Sequence, residues 1–302
     1  MNVLAPGKLV LTGAYAVLEG APAIVVAVDR YAVADTAAPD DVDVRALLDA
    51  AGRKLGLGSS AASMVASQAA RAVARGEDVT DPVVRATLFR GVRDAHSASQ
   101  QGGSGVDVAA AVYGGALRYR VETPARAEDG SSPPPSSPSP ASGVLLRAVE
   151  LPPRLELRAF WSGTSARTSD LRARVDALRA RSGAALSRLR LLAAVAASAV
   201  DAGDTRAFVL AARDYGDALD ALGRAADAPI VLPSFGELAR AAERSDAAFL
   251  PSGAGGGDVA VWLGLAPPPG AFLDRAAALG LAPLPVSVDH GGVRVRPPEA
   301  SP

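Results

Sequence analysis

The stretch Lys54-Leu55-Gly56-Leu57-Gly58-Ser59-Ser60-Ala61-Ala62 constrains this chain most, because a glycine-rich turn runs straight into an alanine-rich segment of helical character. Glycine reaches backbone conformations closed to other residues and lets the main chain approach a ligand closely. A helix start leaves its first N–H groups without intrahelical partners and carries the positive end of the helix dipole. The combination makes an anion cradle suited to phosphate. Ser59 and Ser60 can cap the helix or offer hydroxyls to a phosphate or a magnesium ion, and Lys54 places a positive charge at the lip. The stretch lacks the Gly-Lys-Ser/Thr ending of a P-loop, so a Walker-type site is not the match. Gly56-x-Gly58-x-x-Ala61 also fits a relaxed dinucleotide fingerprint, with Glu77 at a ribose-binding distance, but the preceding segment reads as helix rather than buried strand.

With 302 residues, 49% of them hydrophobic, the chain can bury the core of one large or two ordinary domains. A net charge of −1 argues against nucleic acid or a membrane surface as partner and favours a small molecule. Cysteine is absent, which removes disulfides, thiolate chemistry and cysteine–zinc sites; the two histidines, His96 and His290, make a hydrolytic triad a poor fit. The first residues show no charged and apolar leader, and no apolar run reaches the roughly 18 residues of a membrane span, so the reading is cytoplasmic. Of 31 basic residues, Lys8 and Lys54 are the two lysines, and both adjoin a glycine motif. A compact ammonium meets phosphate differently from the planar guanidinium used for charge elsewhere in the chain.

Along the chain, residues 2–34 read as strands broken by a turn at Thr12-Gly13, with Pro6-Gly7-Lys8 on the first strand or its edge. Residues 35–43 read as an acidic turn and 44–54 as helix. Helices are expected over 59–75 and from Asp81-Pro82 to about Gln100, then from Val108 to Val112 after Gln101-Gly102-Gly103-Ser104-Gly105-Val106-Asp107. A strand follows at 117–121. The Ser/Pro stretch 130–143 reads as a surface loop. Strands at 144–149 and 155–161 lead into a long helical region to about Gly223, whose arginines (Arg167, Arg172, Arg174, Arg179, Arg181, Arg188 and Arg190) read as a solvated face. A helix over 234–244, the loop Ser252-Gly253-Ala254-Gly255-Gly256-Gly257-Asp258, a strand over 259–263, a helix over 273–279 and strands at 284–288 and 293–295 close an α+β arrangement.

Three glycine-rich loops, near residues 56, 103 and 255, can therefore converge on one phosphate-bearing ligand. In this order the motifs resemble the GHMP kinases over most of the chain. Pro6-Gly7-Lys8 with Gly13-Ala14-Tyr15-Ala16-Val17-Leu18 looks like the first family motif, Gly56 to Ala62 the second and Ser252 to Asp258 the third. The stretches Gln101 to Ala110, Tyr113-Gly114-Gly115 and Phe160 to Ser165 look most like the phosphomevalonate kinase branch, with mevalonate kinase or another small-molecule kinase as the alternative.

The resemblance implies a ribosomal S5 domain 2-like N-terminal domain over 1–150, a ferredoxin-like C-terminal domain over 151–302, and a site between them using ATP and Mg2+ in a monomer or homodimer. It implies that Lys54, Gly56, Leu57, Gly58, Ser59, Ser60, Ala61 and Ala62 hold the triphosphate, with Ser60 as metal ligand. It makes Asp107 and Lys8 catalytic, and puts Lys8, Ser104, Ser252, Gly253, Ala254 and Gly255 on the acceptor, phosphomevalonate or a relative. Read without the resemblance, Asp107 is equally a helix cap, Ser252 a turn residue and Asp258 a loop end. Two departures stand out: Ala14 occupies a usual glutamate position, and about twenty residues separate Asp35 from Lys54 where the family has further strands. The shortening leaves open a nucleotide-binding module without turnover.

Overall fold

The computed structural model describes residues 1–99, 102–122, 143–165, 168–179 and 183–296. Two antiparallel sheets carry it. In the first, β1 (Asn2–Thr12), β2 (Ala23–Asp35), β4 (Ala116–Val121), β5 (Val144–Val149) and β10 (Arg294–Val295) run in the order β10-β1-β2-β4-β5, and β3 (Ala38–Asp43) pairs with β2. The last strand thus returns to the first. In the second sheet, β7 (Ala248–Pro251), β8 (Val259–Gly264), β6 (Glu156–Trp161) and β9 (Ala282–Leu284) lie in the order β7-β8-β6-β9.

Pro6 interrupts β1 without breaking it. The β10 pairing covers Val3 and Leu4 alone, and the register on β2 jumps between Pro6 and Gly7, so the missing N–H falls at a bulge. Beyond the bulge Lys8 N–H donates to Leu57 O at 2.9 Å, tying the strand to the cradle loop. A Cβ on Gly7 would lie 2.8 Å from that same carbonyl. Helices α1 (Ser59–Ala74) and α3 (Val106–Tyr113) pack on β1 and β2, with α2 (Pro82–Ser99) outside them. The long paired helices α5 (Ala184–Asp201) and α6 (Thr205–Ala225) bridge the sheets, since α5 touches β2 while α6 touches β1, β7 and β8. With α4 (Thr168–Arg179), α7 (Pro233–Glu243) and α8 (Gly270–Ala278) the α+β class stands. A separate aromatic cluster of Phe160, Phe235, Phe249, Trp262 and Phe272 fills the space between the second sheet and α7 and α8.

Several local expectations are corrected. Residues 35–43 are not an acidic turn: Asp43 and Val42 pair with Val33 and Ala34 to make β3. Residues 44–54 are not a helix but a single 3-10 turn, Arg45–Leu47, followed by a loop in which Asp49 accepts from the N–H groups of Ala51 and Arg53. A short side chain bonding its own backbone competes with helix formation. The segment before Gly56 is therefore neither helix nor strand, and the dinucleotide alternative still lacks its strand. The helical region after residue 167 is three helices; Asp204 caps α6 by accepting from Ala207 N–H at 2.9 Å. Strand β7 was not anticipated, and 284–288 contributes Leu284 to β9 and a lone bridge at Val288. The Ser/Pro loop, but for Gly143, lies outside the described residues, as do Gln100, Gln101, Arg167 and Arg181. No helix among the described residues is long and apolar enough to cross a membrane.

Candidate active site

A cleft of about 400 Å3 opens where the three glycine-rich loops meet. Its floor is β1, which supplies Lys8 and Val10. One wall is the cradle, with Gly56, Gly58, Ser59 and Ser60 and with Lys54 at the exposed lip. Gly102, Gly103, Ser104 and Asp107 come from the start of α3, and Ser252, Gly253, Ala254 and Asp258 from the loop between β7 and β8. Of the residues expected to hold a ligand, eleven line this cleft: Lys8, Lys54, Gly56, Gly58, Ser59, Ser60, Ser104, Asp107, Ser252, Gly253 and Ala254. Leu57, Ala61 and Ala62 point into the core, so they are available through backbone atoms alone. Gly255 is packed on Ile230, where a Cβ would fall 2.1 Å from the Ile230 carbonyl oxygen.

Two helices open on the cleft in the same way. Gly58 caps α1 and Gly105 caps α3, both in the left-handed conformation and neither with a capping side chain of its own, although Ser104 Oγ accepts from Val106 N–H at 3.3 Å. Two positive helix ends therefore face one space, as an anion requires. The glycines also set the spacing: a Cβ on Gly56 would lie 2.3 Å from Asp258 Cβ, and one on Gly58 would lie 3.1 Å from Lys8 Cγ and 3.5 Å from Asp107 Cβ.

Lys8 sits where these loops converge. Its ammonium donates to Gly56 O at 3.1 Å and lies 3.5 Å from the Cβ position of Gly253. Burial lowers its pKa from the ordinary lysine value, and the charges of Asp107 and Asp258 oppose that shift. The third loop is braced from below and from the side: Val10 N–H donates to Ser252 Oγ at 3.0 Å, and Tyr15 Oη donates to Ala254 O at 2.7 Å. Burial drives the Tyr15 phenol well above its usual pKa, so it stays a donor. Tyr215 Oη in turn donates to Ala14 O and holds the 13–18 turn. Next to Lys54, Arg53 donates to Gly163 O at 2.8 Å while stacking 4.8 Å above the Trp161 ring, which joins the segment before the cradle to the end of β6 and the loop after it.

The sequence reading missed a further wall. Tyr15, Val17, Leu18, His96, Ser165, Ser169 and Arg172 also face the cleft. Arg172 and Arg179 depart from the solvated arginine face: their side chains are 17% and 14% exposed, whereas Arg174 is 52% exposed. Tyr15 lay inside a quoted motif, but nothing in the spacing of α4 sets Arg172 apart from its neighbours.

Similarity to known proteins agrees with this geometry. No family model matches the chain. The chain is 29% identical over 337 residues to a phosphomevalonate kinase of Streptomyces sp. (strain CL190), covering 86% of this chain and 88% of that protein. Among solved structures, a Lin0012 protein from Listeria innocua superposes with a TM-score of 0.79 at 22% identity, covering 97% and 98% of the two chains. The phosphomevalonate kinase of Streptococcus pneumoniae, in complex with phosphomevalonate and AMPPNP, superposes with a TM-score of 0.76 at 19% identity, covering 95% and 99%. Mevalonate kinase, homoserine kinase and galactokinase share the architecture. The chain has the GHMP kinase fold. The resemblance read from its motifs is thus borne out over most of the chain.

The cleft's chemistry fits a magnesium nucleotide. Among the described residues no group of three or more His, Cys, Asp and Glu could hold a metal by itself. Mg2+ characteristically takes one or two protein oxygens together with phosphate oxygens and water, and Ser60, Asp107 and Asp258 supply hard oxygen donors on the cleft surface.

Proposed function

We propose that this protein transfers the terminal phosphoryl group of ATP to 5-phosphomevalonate, giving the diphosphate ester, within the mevalonate route to isoprenoids. The observation that carries the reading is Lys8: a buried ammonium placed against the phosphate cradle, the start of α3 and the third glycine loop at once. A group there offsets charge on both a donor and an acceptor. The similarity to a curated phosphomevalonate kinase and to a structure holding phosphomevalonate supports the choice of acceptor. In this reading residues 1–150 form one half of the fold around the site and the residues after 150 the other, except that the chain end returns to the first sheet through β10.

In this reading the cradle N–H groups, Ser59 and Lys54 bind the triphosphate, and Ser60 with a carboxylate holds the metal. Bound Mg2+ would neutralise phosphate charge and fix the triphosphate's orientation. Phosphoryl transfer asks the protein mainly for positioning and charge neutralisation. A phosphate monoester has a second pKa of about 6, so the attacking oxygen is already largely ionised near neutral pH. Asp107 then orients the acceptor rather than removing a proton. Lys8 neutralises charge between two anions, and Ser104 and the Ser252–Ala254 loop seat the acceptor. An alcohol acceptor such as mevalonate would instead demand general-base help from Asp107.

The test is ADP release from MgATP with phosphomevalonate, with mevalonate and with no acceptor, each with Asp107→Asn as control. Turnover confined to phosphomevalonate supports the proposal. Turnover with mevalonate alone moves the assignment to the alcohol, and ATP binding without turnover would show a nucleotide-binding module.

A further inference from the structure

We infer that Arg172, on α4, is a specificity residue that holds the acceptor's carboxylate at the end of the cleft away from the transferred phosphate; the inference rests on the acceptor proposed above. The cleft lining is chemically mixed. Donor phosphates belong at the N-terminus of α1, so the reacting end of the acceptor lies beside Lys8 and Asp107, whose side chains flank Gly58. The rest of the acceptor must run along the remaining wall. That wall includes apolar Ala14, Val17 and Leu18 together with Ser165, Ser169 and Arg172, and the Arg179–Glu19 pair sets α4 beside the end of the 13–20 turn. An apolar surface with a guanidinium and two hydroxyls beside it matches a branched hydroxy acid that carries a carboxylate. A planar guanidinium recognises a carboxylate through two parallel N–H bonds.

Arg172 stands in a row of ion pairs. Asp176 lies 3.6 Å from Arg172 Nε, but it also lies 3.2 Å from Arg179, which is held in turn by Glu19 at 2.6 Å. Two guanidinium groups thus share Asp176, and Glu19 fastens the row to the end of the 13–20 turn. Asp176 also acts electrostatically on Tyr15, which places α4 beside the turn that braces the third loop. The row sets Arg172 in a chain of ion pairs at the cleft wall, where its guanidinium can meet an incoming carboxylate.

The test compares Arg172→Gln and Arg172→Lys with the wild type, using phosphomevalonate and an analogue in which a methyl group replaces the carboxylate. Loss of a charged hydrogen-bonding pair corresponds to roughly 10- to 100-fold in affinity. For Arg172→Gln the acceptor KM should rise by about that factor, with the ATP KM unchanged and kcat changed less than threefold. Arg172→Lys should fall between, because it keeps the charge and loses the fork. With the methyl analogue all three proteins should perform alike. Wild-type turnover with an acceptor KM unmoved in both variants overturns the assignment and leaves the kinase reading intact, as does an equal penalty on the methyl analogue. A raised ATP KM overturns it too, by assigning Arg172 to the nucleotide. If Arg172→Gln does not fold, Arg172→Lys and the wild-type discrimination between the two acceptors decide; absence of that discrimination overturns the inference. Absence of wild-type turnover with phosphomevalonate is a failure of the proposed function itself, seen before any variant is made.

Discussion

Replacing Gly56 by alanine should separate two parts of the site that the structure holds in contact, and Gly52→Ala is an internal control. Both glycines have similar left-handed backbones, with φ of 82° and 77°. Either substitution should therefore cost about 1–2 kcal/mol for placing an L-residue there. They differ in surroundings. Beyond its chain neighbours nothing lies within 4 Å of a Cβ on Gly52, whereas one on Gly56 would meet Asp258 Cβ at 2.3 Å and Cγ at 2.7 Å. Asp258 is poorly placed to yield, since its N–H donates to Thr164 O at 2.7 Å and its carbonyl accepts from Ser162 N–H at 2.9 Å. Overpacking of this kind adds about 1–3 kcal/mol. Urea unfolding should thus show Gly56→Ala destabilised by about 2–5 kcal/mol and Gly52→Ala by about 1–2 kcal/mol. Because the clash pushes the cradle from the third loop, the ATP KM of Gly56→Ala should rise about tenfold or more while Gly52→Ala keeps the wild-type value. Equal destabilisation of the two, with an unchanged ATP KM, would refute the claim that close approach of these loops shapes the nucleotide site.

Lys8 gives a pH signature. Its pKa is lowered by burial against the opposing pull of Asp107 and Asp258, so the alkaline limb of kcat/KM should fall below the ordinary lysine range and be absent from any residual activity of Lys8→Arg. Between the lowered pKa and the ordinary lysine value the unfolded chain binds more protons, so stability should rise with pH across that window, and Lys8→Met should flatten the slope in urea titrations. Ser252→Ala leaves the buried Val10 N–H without its acceptor, which should cost about 1–3 kcal/mol in the same assay. If Asp107 orients rather than deprotonates, the pH-independent residual rate of Asp107→Asn should exceed that of Lys8→Ala with the phosphorylated acceptor; the reverse order in single-turnover experiments would restore a general-base role.

The cradle was legible because its determinants are local: Gly56 and Gly58 adopt positive φ, and an alanine-rich helix begins at once. The convergence of Lys8, Asp107 and Asp258 was legible through motif order alone, since no spacing along the chain brings residues so distant in sequence together. The 35–54 segment was misread for identifiable reasons. Pro39, Asp40 and Asp41 look like a turn, yet Val42 and Asp43 complete a strand by pairing with β2. Leu47 and Leu48 suggest a helix face, but Asp49 bonds the following backbone and closes a loop instead. Arg172 was invisible because an arginine facing a cleft and one facing water have the same identity and the same helical setting, and tertiary packing alone distinguishes them.

The most direct measurement is phosphorus NMR of the products formed from MgATP and phosphomevalonate by the purified protein. The account predicts ADP together with an equal amount of a diphosphate ester, seen as a coupled pair of resonances, and loss of both with Lys8→Ala. An unchanged phosphomevalonate resonance, with mevalonate instead converted to a monophosphate under the same conditions, would contradict it.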